Sequence, residues 1–289
     1  MDTIAAALTA AVDLAAEGRG RLRASPRLQS WPGIVHGGGM AALFDAVTSR
    51  LATAAAPRIV EARLTSSVPT DVALSLDART GDDGITRLTV LQGEQTLTSA
   101  AVSAGGPIDT AGDARWAGGD EGALLPGTDQ CLACGALNPL GLGARLRWDE
   151  RGVWARIDPP APWLDADGRG HPALGPVLLD EIAWWLGALV MQEGGLTNRI
   201  RVTLIEPHAP PATSLVAAGR FDAVAPVDRG RSFWRTETVL LTTGGRLLAT
   251  ASIVFRGGPE YSARQMDYFR RRASPDLFRR MFPRYAETG

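Results

Sequence analysis

The chain has 289 residues, of which 45% are hydrophobic and 21% are charged, and its formal net charge is −1. That length suffices for two domains with their own hydrophobic cores, and the balanced charge argues against a nucleic acid or another polyanion as partner of the whole chain. All thirty basic residues are arginine. This excludes a Schiff-base lysine and a Walker-type phosphate loop, because both need a lysine amine.

The first predicted element is an amphipathic helix within the first 20 residues, with Ile4, Leu8 and Val12 on one face. This stretch has three acidic residues and no basic segment ahead of an apolar run, so it does not resemble a secretory signal. No apolar run reaches the length of a membrane span, and the chain has two cysteines. We therefore expect a cytoplasmic protein without a membrane partner.

The next predicted element is an apolar helix opened by a glycine-rich turn. Residues 32–45 read P-G-I-V-H-G-G-G-M-A-A-L-F-D, and His36 precedes Asp45 by nine residues. Apolar residues at every fourth position from Leu43 to Leu51 mark one helix face. Strand-like segments follow over residues 59–68, 72–78, 85–91 and 96–103.

A possible linker and a cysteine motif come next. Residues 105–130 are rich in glycine, aspartate and alanine and lack periodicity, which is typical of a linker. Residues 131–142 then read C-L-A-C-G-A-L-N-P-L-G-L. Zinc needs four ligands, and this motif offers two cysteines with no histidine nearby in sequence, so we expect no metal. A redox pair is no better supported, because no thioredoxin-like βαβ pattern surrounds the cysteines.

The same elements then recur. Residues 171–181 read H-P-A-L-G-P-V-L-L-D-E, so His171 again precedes Asp180 by nine residues. The offset from the first copy is constant, since 171 − 36 = 135 and 180 − 45 = 135. The ordered repeat predicts an α+β architecture in two copies, each with a buried helix followed by an antiparallel sheet. The strand-like segments of the second copy span residues 199–205, 214–220, 232–241 and 246–255.

The repeat also sets the predicted domain boundaries. They are an N-terminal domain over 1–106, a linker over 107–130, a C-terminal domain over 131–260 and a basic tail over 261–289.

The segment P-G-I-V-H-G-G followed by Asp45 resembles the hotdog-fold acyl-CoA thioesterases, particularly the phenylacetate-pathway and 4-hydroxybenzoyl-CoA types. The C-x-x-C-G-x-x-N-P-x-G-L segment is similar to the stretch that opens the first strand in many such domains. The resemblance covers most of residues 20–257. It implies two fused hotdog domains, each an antiparallel sheet wrapped around a long central helix, that form a pseudo-dimer. A homodimer of such pseudo-dimers is left open.

The resemblance implies hydrolysis of an acyl-CoA or acyl-carrier-protein thioester without a cofactor or a metal. In such a site, free amides at a helix start bind the developing oxyanion, and a carboxylate from the opposite copy is the general base or nucleophile. The first site would combine His36, Gly37 and Gly38 with Asp180 and Glu181. The histidine either takes part in catalysis or only holds the turn, and the glycines either bind the oxyanion or only allow the tight turn.

The second site would pair Asp45 with the turn from His171 to Gly175. We expect the two sites to differ, because Pro172 and Ala173 stand where the first copy has Gly37 and Gly38, and a proline has no amide to donate. In turn, Ser49 lies one helical turn after Asp45 and is predicted to orient water. Its counterpart is Trp184, which cannot accept a hydrogen bond and is predicted to be a core residue or a wall of the acyl pocket.

Two other functions stay open. The first is a hotdog-fold dehydratase, isomerase or cyclase acting on a thioester, with the aspartate as proton shuttle. The second is a non-catalytic acyl-binding protein, which the altered second turn favours.

The predicted tail has seven arginines against three acidic residues, so its charge is 7 − 3 = +4. Aromatic residues interleave with these charges, and a proline at position 275 predicts a broken helix. The tail is either a solvated end without interactions or a surface that captures CoA phosphates or an acidic carrier protein.

Overall fold

The computed structural model describes residues 2–15, 17–52, 56–106, 108, 121–230 and 232–286. The chain begins with helix α1 (Ile4–Ala10) and two short strands, β1 (Val12–Leu14) and β2 (Arg19–Leu22). The predicted N-terminal helix is therefore shorter than expected, because Val12 pairs with Leu22 in an antiparallel ladder instead of continuing the helix. Ile4 and Leu8 are buried, as the apolar face predicts.

The first copy of the repeat consists of one helix and four strands. They are α2 (Gly37–Leu51), β3 (Arg58–Leu64), β4 (Leu74–Thr80), β5 (Thr86–Gln92) and β6 (Gln95–Ala104). Each strand lies within a few residues of its predicted segment, because alternating burial along the strand reflects alternating residue type in the sequence. The tight turn between β5 and β6 contains Gly93, whose φ of +59° is in the left-handed region that favours glycine.

The second copy repeats this pattern after three additional strands. Its elements are β7 (Ala123–Leu124), β8 (Arg147–Trp148), β9 (Gly152–Ile157), α3 (Leu174–Met191), β10 (Gly195–Leu204), β11 (Leu215–Arg220), β12 (Ala225–Pro226), β13 (Phe233–Thr242) and β14 (Leu247–Gly257). β7 lies within the predicted linker and pairs with β8, so the end of that segment joins the sheet. Residues 107 and 109–120 of the predicted linker lie outside the described residues.

The strands form one antiparallel sheet in the order β1-β2-β4-β5-β6-β3-β10-β14-β13-β11-β9-β8-β7, with β12 beside β13. The two copies meet at the centre, where β3 pairs with β10 from Arg58↔Leu204 to Arg63↔Arg199. Outward from β3 the order is β6, β5, β4, and outward from β10 it is β14, β13, β11. The first strand after each helix therefore lies at the junction, and the two copies are arranged symmetrically about it.

The helices α2 and α3 contact each other and the strands of the sheet. By length and composition α3 could cross a membrane, contrary to the expectation that no apolar run is long enough. However, 78% of its residues are buried inside the structure, so α3 is the core helix of this fold.

The basic tail forms α4 (Pro259–Arg272), α5 (Pro275–Met281) and α6 (Pro283–Ala286). The predicted break near residue 275 is present, because α5 begins at Pro275 with Ser274 as its N-cap. Phe269, Met281 and Phe282 of the tail are at most 1% exposed and join the main hydrophobic core. The described part of the tail is thus integrated into the fold, which contradicts a wholly solvated end.

Candidate functional site

Asp180 lies on α3 and is only 4% exposed. Its Oδ2 accepts a hydrogen bond of 2.8 Å from the backbone amide of Gly38, the second residue of α2. Its Oδ1 accepts a hydrogen bond of 2.8 Å from the hydroxyl of Thr197 on β10. The carboxylate of the second copy therefore faces the helix start of the first copy, as the resemblance implied.

Sequence reasoning missed Thr197. The pairing of β10 with β14 shifts register between Thr197 and Arg199, which indicates a β-bulge. A bulge changes which side chains point inward, so regular alternation along the strand could not have placed this hydroxyl against Asp180.

The environment of Asp180 shifts the pKa of its carboxyl upward. Burial raises the pKa of this carboxyl, and the opposing effects of His36, Thr197 and the Gly38 amide only partly offset it. A carboxylate with a raised pKa is a stronger base than one in water.

His36 is the N-cap residue of α2 and is 1% exposed. Its Nδ1 lies 3.4 Å from Asp180 Oδ2, and its Nε2 lies 3.4 Å from Glu181 Oε2. Burial disfavours the imidazolium, but hydrogen bonds with Cys131 and Glu181 and the charge of Asp180 outweigh it, so the pKa of His36 is well above its ordinary value.

The cysteine motif contributes to this site, although its sequence position gave no sign of it. Cys131 is 2% exposed, and its Sγ lies 3.6 Å from Glu181 Oε2. Burial raises the pKa of the thiol, but hydrogen bonds from Cys134 and His36 lower it to about 7. The pKa of Glu181 is lowered, because its hydrogen bond with His36 and the charge of His36 outweigh the effect of burial, which acts in the opposite direction. The loop reaches the start of α2 because the Leu132 amide donates to the Gln29 carbonyl at 2.8 Å.

The predicted oxyanion glycines have different roles in the geometry. The Gly38 amide is engaged by Asp180, so it positions the carboxylate. Gly37 lies at the first position of α2, where backbone amides have no partner within the helix, and it lines an open cleft. A side chain at Gly37 would approach Asp180 Oδ2 to 2.8 Å, so glycine leaves space between this amide and the carboxylate.

The cleft beside these groups has a volume of about 360 Å³. Glu181 and Trp184 line it, as predicted for substrate-binding residues, and Trp184 also donates from its indole nitrogen to the Gly195 carbonyl at 2.9 Å. Aromatic and basic side chains complete the walls. They include Trp31, Trp185, Arg256, Tyr261, Arg264 and Phe269.

The second predicted site is built differently. Asp45 is buried, but its Oδ2 accepts a hydrogen bond of 2.7 Å from Arg58 on β3, so the carboxylate is engaged in an ion pair. Ser49 is exposed and donates to the Asp45 backbone carbonyl at 2.9 Å, which directs its hydroxyl to the helix backbone. β10 thus supplies a neutral donor to one carboxylate, and β3 supplies a guanidinium to the other.

The turn of the second copy also differs from that of the first. Nδ1 of His171 accepts a hydrogen bond of 3.1 Å from the Ala173 amide, so this histidine holds its own turn. α3 begins only at Leu174, and Gly175 packs inside it against Leu204. Among the described residues, Ser49, His171 and Gly175 do not line the cleft.

No family model and no curated protein matches the chain. Its structure is similar to that of a proposed thioesterase II from Thermobifida fusca YX, with 16% identity over 87% of this chain and 97% of that chain and a TM-score of 0.59. A protein of unknown function with a hot dog fold from Alicyclobacillus acidocaldarius gives 15% identity, coverage of 88% and 97%, and a TM-score of 0.60. The dehydratase domain of PpsC from Mycobacterium tuberculosis, solved with C12:1-CoA, gives 15% identity, coverage of 86% and 97%, and a TM-score of 0.57. These similarities show that the chain has the hotdog fold.

Proposed function

We propose that the protein hydrolyses the thioester bond of an acyl-CoA or acyl-carrier-protein substrate in the cleft beside Asp180. The observation that carries this proposal is the contact between Asp180 on α3 and the start of α2 from the other copy. It brings a buried base and the Gly37 amide at the helix start to one open cavity, and acyl transfer to water requires a base and an oxyanion donor together.

The chemistry follows from the positions of these groups. Asp180 takes a proton from a water molecule in the cleft as the water oxygen attacks the thioester carbonyl and forms a tetrahedral intermediate. The carbon–sulfur bond of this intermediate then breaks, and Asp180 returns the proton to the departing thiolate, so that the acid and the free thiol are released. The Gly37 amide and the positive end of the α2 dipole stabilise the oxyanion that forms. Thr197 and the Gly38 amide hold the two carboxylate oxygens of Asp180, so the base is oriented before the substrate binds.

The proposal includes the arrangement of the whole chain as two fused hotdog units in a pseudo-dimer. It is supported by the symmetric strand order about the β3–β10 junction and by the 135-residue offset of the helix motifs. In this arrangement one site keeps a cleft with Asp180, and the other site has its carboxylate paired with Arg58. Only the Asp180 site is then expected to turn over substrate.

A panel of acyl-CoAs with detection of released thiol tests this proposal. We expect Asp180→Asn to lower kcat by at least ~100-fold, which is the lower range for removal of a general base. The matched control combines Asp45→Asn with Arg58→Gln, so that no buried charge is left alone, and it should retain kcat within a few-fold. Wild-type rates in Asp180→Asn, or loss of activity in the control with folding intact, would show that the site is assigned wrongly.

A second candidate function is dehydration of a 3-hydroxyacyl thioester. It is favoured by the 3.4 Å approach of His36 Nδ1 to Asp180 Oδ2, because such a pair can remove a proton and protonate a leaving hydroxyl. Formation of an unsaturated thioester without release of thiol would identify this reaction. Saturable binding of acyl-CoA without either product would instead identify an acyl-binding protein.

A further inference from the structure

Three potential metal ligands from separate parts of the chain meet at the inner end of the cleft. They are His36 at the start of α2, Cys131 in the loop before β8 and Glu181 on α3. Their ligand atoms all lie within 4.8 Å of one another. Glu181 Oε2 is the common neighbour, 3.4 Å from His36 Nε2 and 3.6 Å from Cys131 Sγ.

We infer that His36 Nε2, Cys131 Sγ and Glu181 Oε2 form a binding site for one zinc ion or a similar divalent transition metal. A tetrahedral zinc with ordinary bond lengths separates a nitrogen from an oxygen ligand by about 3.4 Å and a sulfur from an oxygen ligand by about 3.6 Å. The two observed distances to Glu181 Oε2 agree with these edges. The donor set of thiolate, imidazole and carboxylate favours zinc over magnesium or calcium, which prefer oxygen ligands.

Neighbouring groups lie where they could support the ligands. If His36 coordinates through Nε2, its Nδ1 carries the proton and faces Asp180 Oδ2 at 3.4 Å; no hydrogen bond joins the two atoms in this structure, and forming one would give a carboxylate–histidine–metal arrangement. The Ala133 amide donates to Cys131 Sγ at 3.3 Å, which stabilises a thiolate.

The site has three protein ligands and an open side. All three residues line the cleft, so a water molecule or a substrate group could occupy the fourth position, as in catalytic zinc sites. Cys134 lies beside the cluster, because its thiol hydrogen-bonds with Cys131 and lines the same cleft, and its Sγ also accepts a hydrogen bond of 3.4 Å from the Thr128 amide. Replacing each cysteine separately therefore shows which of the two thiols binds the metal.

The cluster is not a general part of the helix turn. At the equivalent position in the first copy, 181 − 135 = 46, the residue is Ala46. In the turn of the second copy, the His171 side chain accepts a hydrogen bond from the Ala173 amide, and the backbone of His171 bonds with Trp163 and Leu174. A histidine at this turn therefore needs neither a glutamate nor a cysteine for structural reasons. A bound ligand would explain why the His36 cluster also contains Glu181 and Cys131.

This inference does not depend on thioester hydrolysis, and its test reads out metal binding. The full chain is stripped with a chelator, dialysed against Zn²⁺ and analysed for metal content, and Co²⁺ is then used as a spectroscopic probe. We expect about one metal per chain and a thiolate-to-cobalt charge-transfer band in the near ultraviolet. Cys131→Ser should remove this band and weaken zinc binding by at least ~100-fold, whereas Cys134→Ser should keep both.

Three results would overturn the inference. The protein could retain no zinc or cobalt after dialysis, the charge-transfer band could survive Cys131→Ser, or Cys134→Ser could remove the band as completely as Cys131→Ser does. Circular dichroism confirms folding of each variant. If Cys131→Ser does not fold, Glu181→Gln replaces it, and unchanged zinc affinity in Glu181→Gln would equally refute the site.

Discussion

At the residue scale, the two repeated aspartates differ because of the strand that follows each helix. Asp180 accepts a hydrogen bond from the Thr197 hydroxyl, and Asp45 accepts one from the Arg58 guanidinium. The constant offset in the sequence predicted that both aspartates are special. It could not predict their partners, since the inward direction of Thr197 depends on a bulge in β10.

Replacement of Thr197 tests whether its hydroxyl orients the carboxylate. We expect Thr197→Val to lower kcat for thioester hydrolysis by about 10- to 100-fold with little change in KM, because a hydrogen bond to a charged group contributes roughly 1.5–3 kcal/mol. Thr197→Ser keeps the hydroxyl and should recover most of the rate. Steady-state kinetics of both variants provide the measurement, and equal rates in Val and Ser variants would show that the hydroxyl does not contribute.

The cysteine loop marks the limit of sequence reasoning at this scale. Cys131 and His36 are 95 residues apart, since 131 − 36 = 95, and no spacing rule links them. The residues close to Cys131 in sequence include only one other potential metal ligand of the cysteine type, Cys134, and no histidine. The contact exists because the loop lies against the start of α2, which is a tertiary feature.

At the element scale, the crossing of α2 and α3 depends on a glycine. A side chain carbon at Gly38 would lie 2.1 Å from the backbone oxygen of Pro176 on α3, and a backbone oxygen cannot rotate away. The helices can therefore approach this closely, and the Gly38 amide can reach Asp180, only without a side chain at this position.

We expect Gly38→Ala to lower the free energy of unfolding by about 3 kcal/mol, at the upper end of overpacking costs. Gly187→Ala is the matched control, because it is also a buried helix glycine but its nearest neighbour is the flexible Met191 side chain at 3.4 Å. It should change stability by no more than about 1 kcal/mol, with a gain from helix propensity. Denaturant titrations measure both values. A Gly38→Ala protein as stable as Gly187→Ala would contradict the close crossing.

The central helix and the four strands that follow it in each copy were predictable because their patterns are local, whereas β7, β8, β9 and β12 were not predicted. The alternation along β13 and the apolar stripe of α2 are properties of neighbouring residues. The short hairpin of β1 and β2 was not predicted, because its strands have three and four residues, too few for a clear alternation. The apolar spacing of Val12 fits a helix and this strand equally well.

At the scale of the whole molecule, the cleft combines residues from both copies and from the tail. His36 comes from the first copy, Asp180 from the second, and Arg264 and Phe269 from α4. Phe269 stacks on Trp184 with ring centroids 5.6 Å apart, which attaches the tail to the cleft wall.

The sequence indicated that the tail is basic and partly helical, but not that it forms part of the cavity. Because its apolar residues are core residues, deletion of the tail would damage the fold and could not isolate its charge.

A single substitution on α4 tests the charge of the tail without this damage. Arg264 is exposed at the cleft, where a guanidinium suits the phosphates of CoA or of a carrier-bound pantetheine. We expect Arg264→Ala to raise KM for acyl-CoA by ~5-fold, equivalent to about 1 kcal/mol for an exposed charge contact, and the effect should shrink as salt is added. Arg271→Ala removes an exposed arginine of the same helix that does not line the cleft, and it should leave KM unchanged. An N-acetylcysteamine thioester lacks phosphates and should bind both variants like the wild type. An equal rise in KM for both substrates would show that Arg264 supports the cavity wall and does not recognise phosphate.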